Sequence, residues 1–83
     1  IERITVAKLN LKVAKKAQDS TAYESALSYI LIAKSLLNDK DWESNYETIS
    51  STFKLVAELY DVNGKFKESE EIIHQYLKKA KTG

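Results

Sequence analysis

The sequence predicts an all-α fold built from two antiparallel helical hairpins, four helices in all, and three observations predict it. The chain has no proline and only two glycines, Gly64 and Gly83, so little interrupts a helical period. Apolar residues recur at intervals of three and four along most of its length, the spacing that gathers them on one side of a helix. Polar clusters at 19–21, 38–41 and 63–64 then divide it into four segments of helical length.

The first helix is expected over about residues 2–17. Ile4, Ala7, Leu11 and Ala14 form one stripe, and Val6, Leu9, Val13 and Ala17 lie beside it, so that together they make one wide buried face. Thr21 with Glu24 fits a capping box, which would satisfy free amides at the start of a second helix running to about Leu37. There Tyr23, Ala26, Ile30, Ala33 and Leu37 make the main stripe. Tyr29, Ile32 and Leu36 widen it, as expected of an interior helix packed on two sides.

Residues 38–41 form the next loop, with Asp41 as the expected cap of a third helix from Trp42 to about Val62. Its stripe is Trp42, Tyr46, Ile49, Phe53, Val56 and Tyr60. Asn63 and Gly64 end it, because glycine readily takes the left-handed conformation that closes a helix. In the fourth helix Phe66, Ser69, Ile73, Tyr76, Leu77 and Ala80 face inward, while Lys78, Lys79 and Lys81 complement its negative end. The first hairpin thus spans about 2–37 and the second about 42–81.

At 83 residues the chain is a single domain or less, with little core to hollow into an enclosed active site. Its 13 Lys and Arg against 12 Asp and Glu create no overall field toward nucleic acid or anionic lipid. The absence of cysteine removes disulfides, thiolate metal sites and thiol nucleophiles, and suits a reducing cytoplasm. The longest apolar stretch, 29–33, is too short to span a bilayer. A chain that begins at Ile1 and contains no Met is expected to be a piece of a longer polypeptide.

An offset of 43 residues pairs Val13 with Val56, Ala14 with Ala57, Tyr23 with Phe66, Ala26 with Ser69 and Ile30 with Ile73. The chain therefore contains a degenerate internal repeat. In the second copy Phe53, Val56, Ala57, Tyr60, Gly64 and Phe66 fall at the tetratricopeptide spacings of large, apolar, small, aromatic, turn glycine and aromatic. The small residue lets two helices approach and the aromatics fill the space between them. The first copy has Asn10 and Thr21 where a large aromatic and the turn glycine stand, and the offset exceeds the usual repeat of about 34 residues.

Residues Ser20, Thr21, Ala22, Tyr23, Glu24, Ala26, Leu27, Tyr29, Leu36, Leu37, Trp42, Glu43 and Tyr46 resemble a more specific family. So do Ala57, Glu58, Tyr60, Gly64, Phe66, Glu70, Ala80, Lys81 and Thr82. The resemblance, over roughly 12–82, is to the helical-repeat region of large signalling proteins. In these a protein-kinase-like domain and a P-loop ATPase precede the repeats, and sensor and histidine-kinase domains often follow. It implies a structural connector or protein-interaction segment in a cytoplasmic protein, with ATP hydrolysis and phosphotransfer elsewhere in the parent. No phosphate-binding glycine loop can be built from this chain's two glycines.

Other motifs have plainer readings. Glu71 and His74 have the Glu-x-x-His spacing of di-iron bundles, but there is no second copy and only one His, so His74 is read as a surface residue beside core Ile73. Asp39, Asp41 and Glu43 lack the glycine and distal glutamate of a calcium loop and are read as helix capping. Arg3, Lys8, Lys12, Lys15 and Lys16 are a solvated basic face rather than a nucleic-acid stripe, and Trp42 and the five tyrosines are packing residues rather than a ligand cage.

The surface left for function is the groove lined by the first helix of each hairpin: Lys8, Leu11, Lys15, Gln18, Ser51, Lys54, Glu58 and Asp61. Its mixed charge, with Glu58 and Asp61, is unlike the Lys and Asn clamp with which chaperone-binding tetratricopeptide proteins hold a peptide carboxylate. The expectation is a non-catalytic connector without cofactor, metal, nucleic-acid or membrane partners. It would stack on neighbouring repeats and domains of its parent, and the isolated chain would self-associate through apolar surface near Ile4 or Leu11 at one end and Ile72 or Leu77 at the other. An independent peptide-binding adaptor is the alternative.

Overall fold

The computed structural model describes residues 2–80 and is all-α, with no strand among them. Five helices follow one another: α1 (Arg3–Asp19), α2 (Tyr23–Ser35), a single short turn α3 (Asp41–Ser44), α4 (Tyr46–Val62) and α5 (Phe66–Lys79). α1 packs on α2 and α4 on α5, making two hairpins; α4 also lies against α2 and α3 and touches α1. The body measures 31 × 30 × 20 Å, the thickness of two helix layers whose axes sit about 8–10 Å apart.

Both hairpins turn in the same way. After α1, the Ala22 amide donates to the Ala17 carbonyl at 2.8 Å and Thr21 to Gln18 at 3.0 Å. After α4, Lys65 donates to Tyr60 at 2.8 Å and Gly64 to Asp61 at 3.0 Å. These are two Schellman closures, each with its left-handed residue at the centre, and they are 43 positions apart. The repeat offset read from the sequence is thus the offset of the backbone turns.

Gly64, at φ +76°, is the glycine that ends the helix as expected. Thr21 holds φ 61° without that freedom. The Thr21–Glu24 capping box does not form: the Thr21 hydroxyl donates to the Ser20 carbonyl at 2.6 Å, and Ala22 precedes α2 with no side-chain cap. A β-branched residue in the left-handed region is strained. Thr21→Gly should therefore raise stability by about 1 kcal/mol, read as a higher urea midpoint at unchanged slope. An unchanged or lower midpoint would show that the turn carries no strain.

The third helix expected from Trp42 to Val62 is interrupted at Asn45, whose φ −139° and ψ 49° leave the helical region. Asn45 closes α3 through its amide to the Asp41 carbonyl at 2.9 Å, and its own carbonyl accepts the Ile49 amide at 3.1 Å to start α4. Asp41 is not a cap but the first residue of α3. The most enclosed helix is α4 rather than α2: Thr48, Ile49, Ser50, Thr52, Phe53, Leu55, Val56 and Leu59 are all buried. Ser69 is the small residue at the second hairpin's contact, and its hydroxyl donates to the Ala57 carbonyl at 3.1 Å.

The core unites Ala14, Ala26, Leu27, Ile30 and Ala33 with Trp42, Ile49, Phe53, Leu55, Val56, Leu59 and Ile72. Trp42 is its aromatic centre, with ring centroids 5.2 Å from Phe53 and 6.0 Å from both Tyr46 and Tyr76. The burial expected for the second stripe of α1 holds only in part: Val6 and Ala17 are half-buried, whereas Leu9 and Val13 are exposed, as are Tyr29 and Ile32 on α2. On α5 the inward face is Ser69, Ile72 and half-buried Tyr76, while Phe66, Ile73 and Leu77 face out. Of the residues expected at the open ends, Ile4 and Ile72 are buried, Leu11 is half-buried and Leu77 is exposed. Lys81 lies outside the described residues.

Candidate functional site

Five of the eight groove residues come together. Lys15 and Gln18 from α1 face Ser51, Lys54 and Glu58 from α4 across an open depression of about 340 Å³, which Asp19 and Leu55 complete. The helices are joined there by Gln18, whose amide donates to Glu58 Oε2 at 2.7 Å. Asp61 lines an adjoining hollow of about 230 Å³ with Phe53, Ala57, Ile73 and Tyr76, and Lys54 and Glu58 border both. Lys8 stands apart, beside Ser44, Asn45 and Tyr46, and Leu11 packs against the core.

The floor of the second hollow is held by polar contacts that sequence reading did not anticipate. Ser50 Oγ and Tyr76 Oη share a hydrogen bond of 3.2 Å, and Lys54 Nζ sits 5.7 Å from the Tyr76 ring centre. The Ser50 hydroxyl, and after it Lys54, hold the Tyr76 phenol below its ordinary value against the opposing effect of burial. Ser50 and Tyr76 are 26 positions apart and carry no joint signal in the sequence; only the two-sided burial of α4 could have pointed to Ser50.

A second unanticipated cluster ties three segments together. Arg3 Nη1 donates to Asp41 Oδ2 at 2.7 Å and also to the Leu36 carbonyl. The Asp41 carboxylate further accepts the Asn38 amide at 2.8 Å and Asn45 Nδ2 at 3.0 Å. The Asp41 side chain is 2% exposed and that of Arg3 41%, so this is a half-wet ion pair around a buried acid. Arg3, with the Asn38 and Asn45 donors, lowers the Asp41 carboxyl from 3.8 to about 2, although burial alone would raise it.

Because the folded value is the lower one, this contribution is complete above about pH 4 and is lost as the pH falls through about 2. Allowing for solvent screening through exposed Arg3, it amounts to about 1–2 kcal/mol. Acid unfolding followed by circular dichroism should show it as a loss of stability over that window, and Asp41→Asn should flatten the profile there. An identical profile in the variant would contradict the assignment.

His74 lies on the exposed side of α5 with Glu70, Glu71 and Gln75 around a shallow depression. Among the described residues no three His, Asp or Glu side chains come together as ligands for a metal ion. No helix among them is long and apolar enough to cross a membrane. The groove presents hydrogen-bonding groups, two ammonium groups and two carboxylates, next to the largely apolar wall of the second hollow.

Neither a protein-family model, nor a curated protein, nor a solved structure matches this chain.

Proposed function

We propose that this chain is a non-catalytic, tetratricopeptide-like connector in a larger cytoplasmic signalling protein, stacking on neighbouring repeats to position kinase and ATPase modules. The observation that carries the reading is the pair of matching hairpin closures 43 residues apart, with α4 packed on both α2 and α5 between them. Repeat arrays bury their apolar faces by stacking such units. The uncovered Leu9 and Val13 on α1, and Phe66, Ile73 and Leu77 on α5, are the surfaces neighbouring units would use. Sequencing the native gene on both sides tests it. An upstream P-loop ATPase and downstream sensor or kinase modules are expected; flanking sequence without repeats or signalling modules would refute it.

The convergence of Lys15, Gln18, Ser51, Lys54 and Glu58 on one depression favours a second reading, a peptide-binding adaptor. Its signature is a peptide partner whose retention is lost on Lys54→Glu. A groove that holds no peptide, or one whose partner is indifferent to that change, would eliminate the adaptor.

A further inference from the structure

The internal repeat shows what the open faces are shaped to receive. α4 runs antiparallel to α2, as two contacts fix: Asn63 Nδ2 donates to the Tyr23 carbonyl at 3.1 Å, and Lys34 Nζ lies 5.5 Å from the Phe53 ring centre. Between those points Ile30 lies level with Val56 and Leu27 with Leu59, all of them buried. Shifting each position by 43 residues moves this contact to the two ends of the chain. Ile30 becomes Ile73, which is 42% exposed, and Val56 becomes Val13, which is 40% exposed. By this offset the open faces carry the positions equivalent to the two sides of the α2–α4 contact.

The charges agree with the apolar residues. Gln18 and Glu58, which hydrogen-bond across α1 and α4, become Asp61 and Lys15 under the same shift. Leu27 and Leu59 become Glu70 and Lys16. Both shifted pairs are of opposite sign, and all four side chains are exposed.

We propose that this chain, where no neighbouring unit of a parent covers its ends, associates head to tail with a second copy of itself, α1 of one copy docking on α4 and α5 of the next as α4 docks on the first hairpin. The proposal rests on the repeat reading above. Val13 meets Ile73 of the second copy in this arrangement, Lys16 meets Glu70 and Lys15 meets Asp61. Each copy keeps one free head and one free tail, so growth continues past the dimer unless the rotation closes a ring.

Sedimentation velocity over about 10 µM to 1 mM tests it. The wild-type mass should rise above 9.4 kDa, pass that of a dimer, and fall back in high salt as the charge pairs are screened. A head variant, Leu9→Glu with Val13→Glu, and a tail variant, Ile73→Glu with Leu77→Glu, should each remain monomeric. Mixed in equal amounts they should form a dimer and stop there, because only one intact head meets one intact tail. Circular dichroism matching the wild type confirms that these exposed substitutions leave the fold intact.

As a milder probe, Lys15→Glu should weaken association about tenfold and Asp61→Lys in the same chain should restore it. A wild-type protein monomeric throughout would overturn the proposal, whatever its flanking genes encode. So would a dimer that the mixed variants fail to reform, since a two-fold symmetric contact uses one face twice. Association with no signalling modules in the gene would instead uphold it and defeat the connector reading.

Discussion

Replacing Trp42 with alanine should cost about 4 kcal/mol, more than any other single truncation in this protein. Trp42 is 5% exposed and brings three rings together, one of them from α5. Truncation removes a large apolar surface and leaves a cavity that short α3 cannot fill by moving, because Asp41 and Asn45 pin both of its ends. Tilted aromatic pairs add about 0.5–1.5 kcal/mol each beyond burial. A domain of this size has only about 5 kcal/mol to lose, so the variant should be near its unfolding midpoint at room temperature, with weakened near-ultraviolet ellipticity. Trp42→Phe should recover most of the loss. A Trp42→Ala protein within about 1 kcal/mol of the wild type would mean that α3 is an ornament on the surface rather than part of the core.

The Asp41→Ala variant should lose about 2–3 kcal/mol, a fall of about 10–20 °C in melting temperature for a chain of this size. The figure is at the low end for buried ion pairs because Arg3 is half exposed and can return to water. What remains is the loss of the acceptor that holds the Asn38 amide and Asn45 side chain, and with them the path of the chain from α2 into α4. Asp41→Asn keeps an oxygen for the Asn38 amide and should lose less. A shift under about 2 °C in thermal denaturation of Asp41→Ala would show that the loop is held by packing alone.

The helical class and the 43-residue offset between the two helix closures were legible because they depend on local signals. These are the spacing of Ile4, Ala7, Leu11 and Ala14, the Gly64 turn, and the pairing of Val13 with Val56. The break at Asn45 was hidden because Trp42, Tyr46, Ile49 and Phe53 keep a helical spacing straight through it. Thr21 was misread since its left-handed turn is imposed by the closure of α1, whereas Thr and Glu three apart are a cap signal in most settings.

The outward faces could not be separated from the core by pattern alone. Leu9 and Val13 have the spacing of buried residues because that spacing suits a face another helix covers, whichever chain the helix belongs to. Periodicity places Ile73 inward, although neighbouring isoleucines on α5 offer either choice; in the structure Ile72 is buried and Ile73 is exposed. The groove was legible in part. Lys15, Gln18, Ser51, Lys54 and Glu58 follow from helical phase, while the Arg3–Asp41 pair joins residues 38 apart through the tertiary fold and leaves no trace in sequence.

In the proposed head-to-tail assembly the two ends of this protein are complementary halves of its own α2–α4 interface. A dilution series of amide proton–nitrogen spectra tests it residue by residue. With rising concentration the resonances of the Leu9–Val13–Lys16 face of α1 and of the Glu70–Ile73–Leu77 face of α5 should shift together along one binding curve. Those of buried Ala26, Ile30 and Val56 should stay in place. Shifts confined to one of the two faces, or none at all up to about 1 mM, would contradict it.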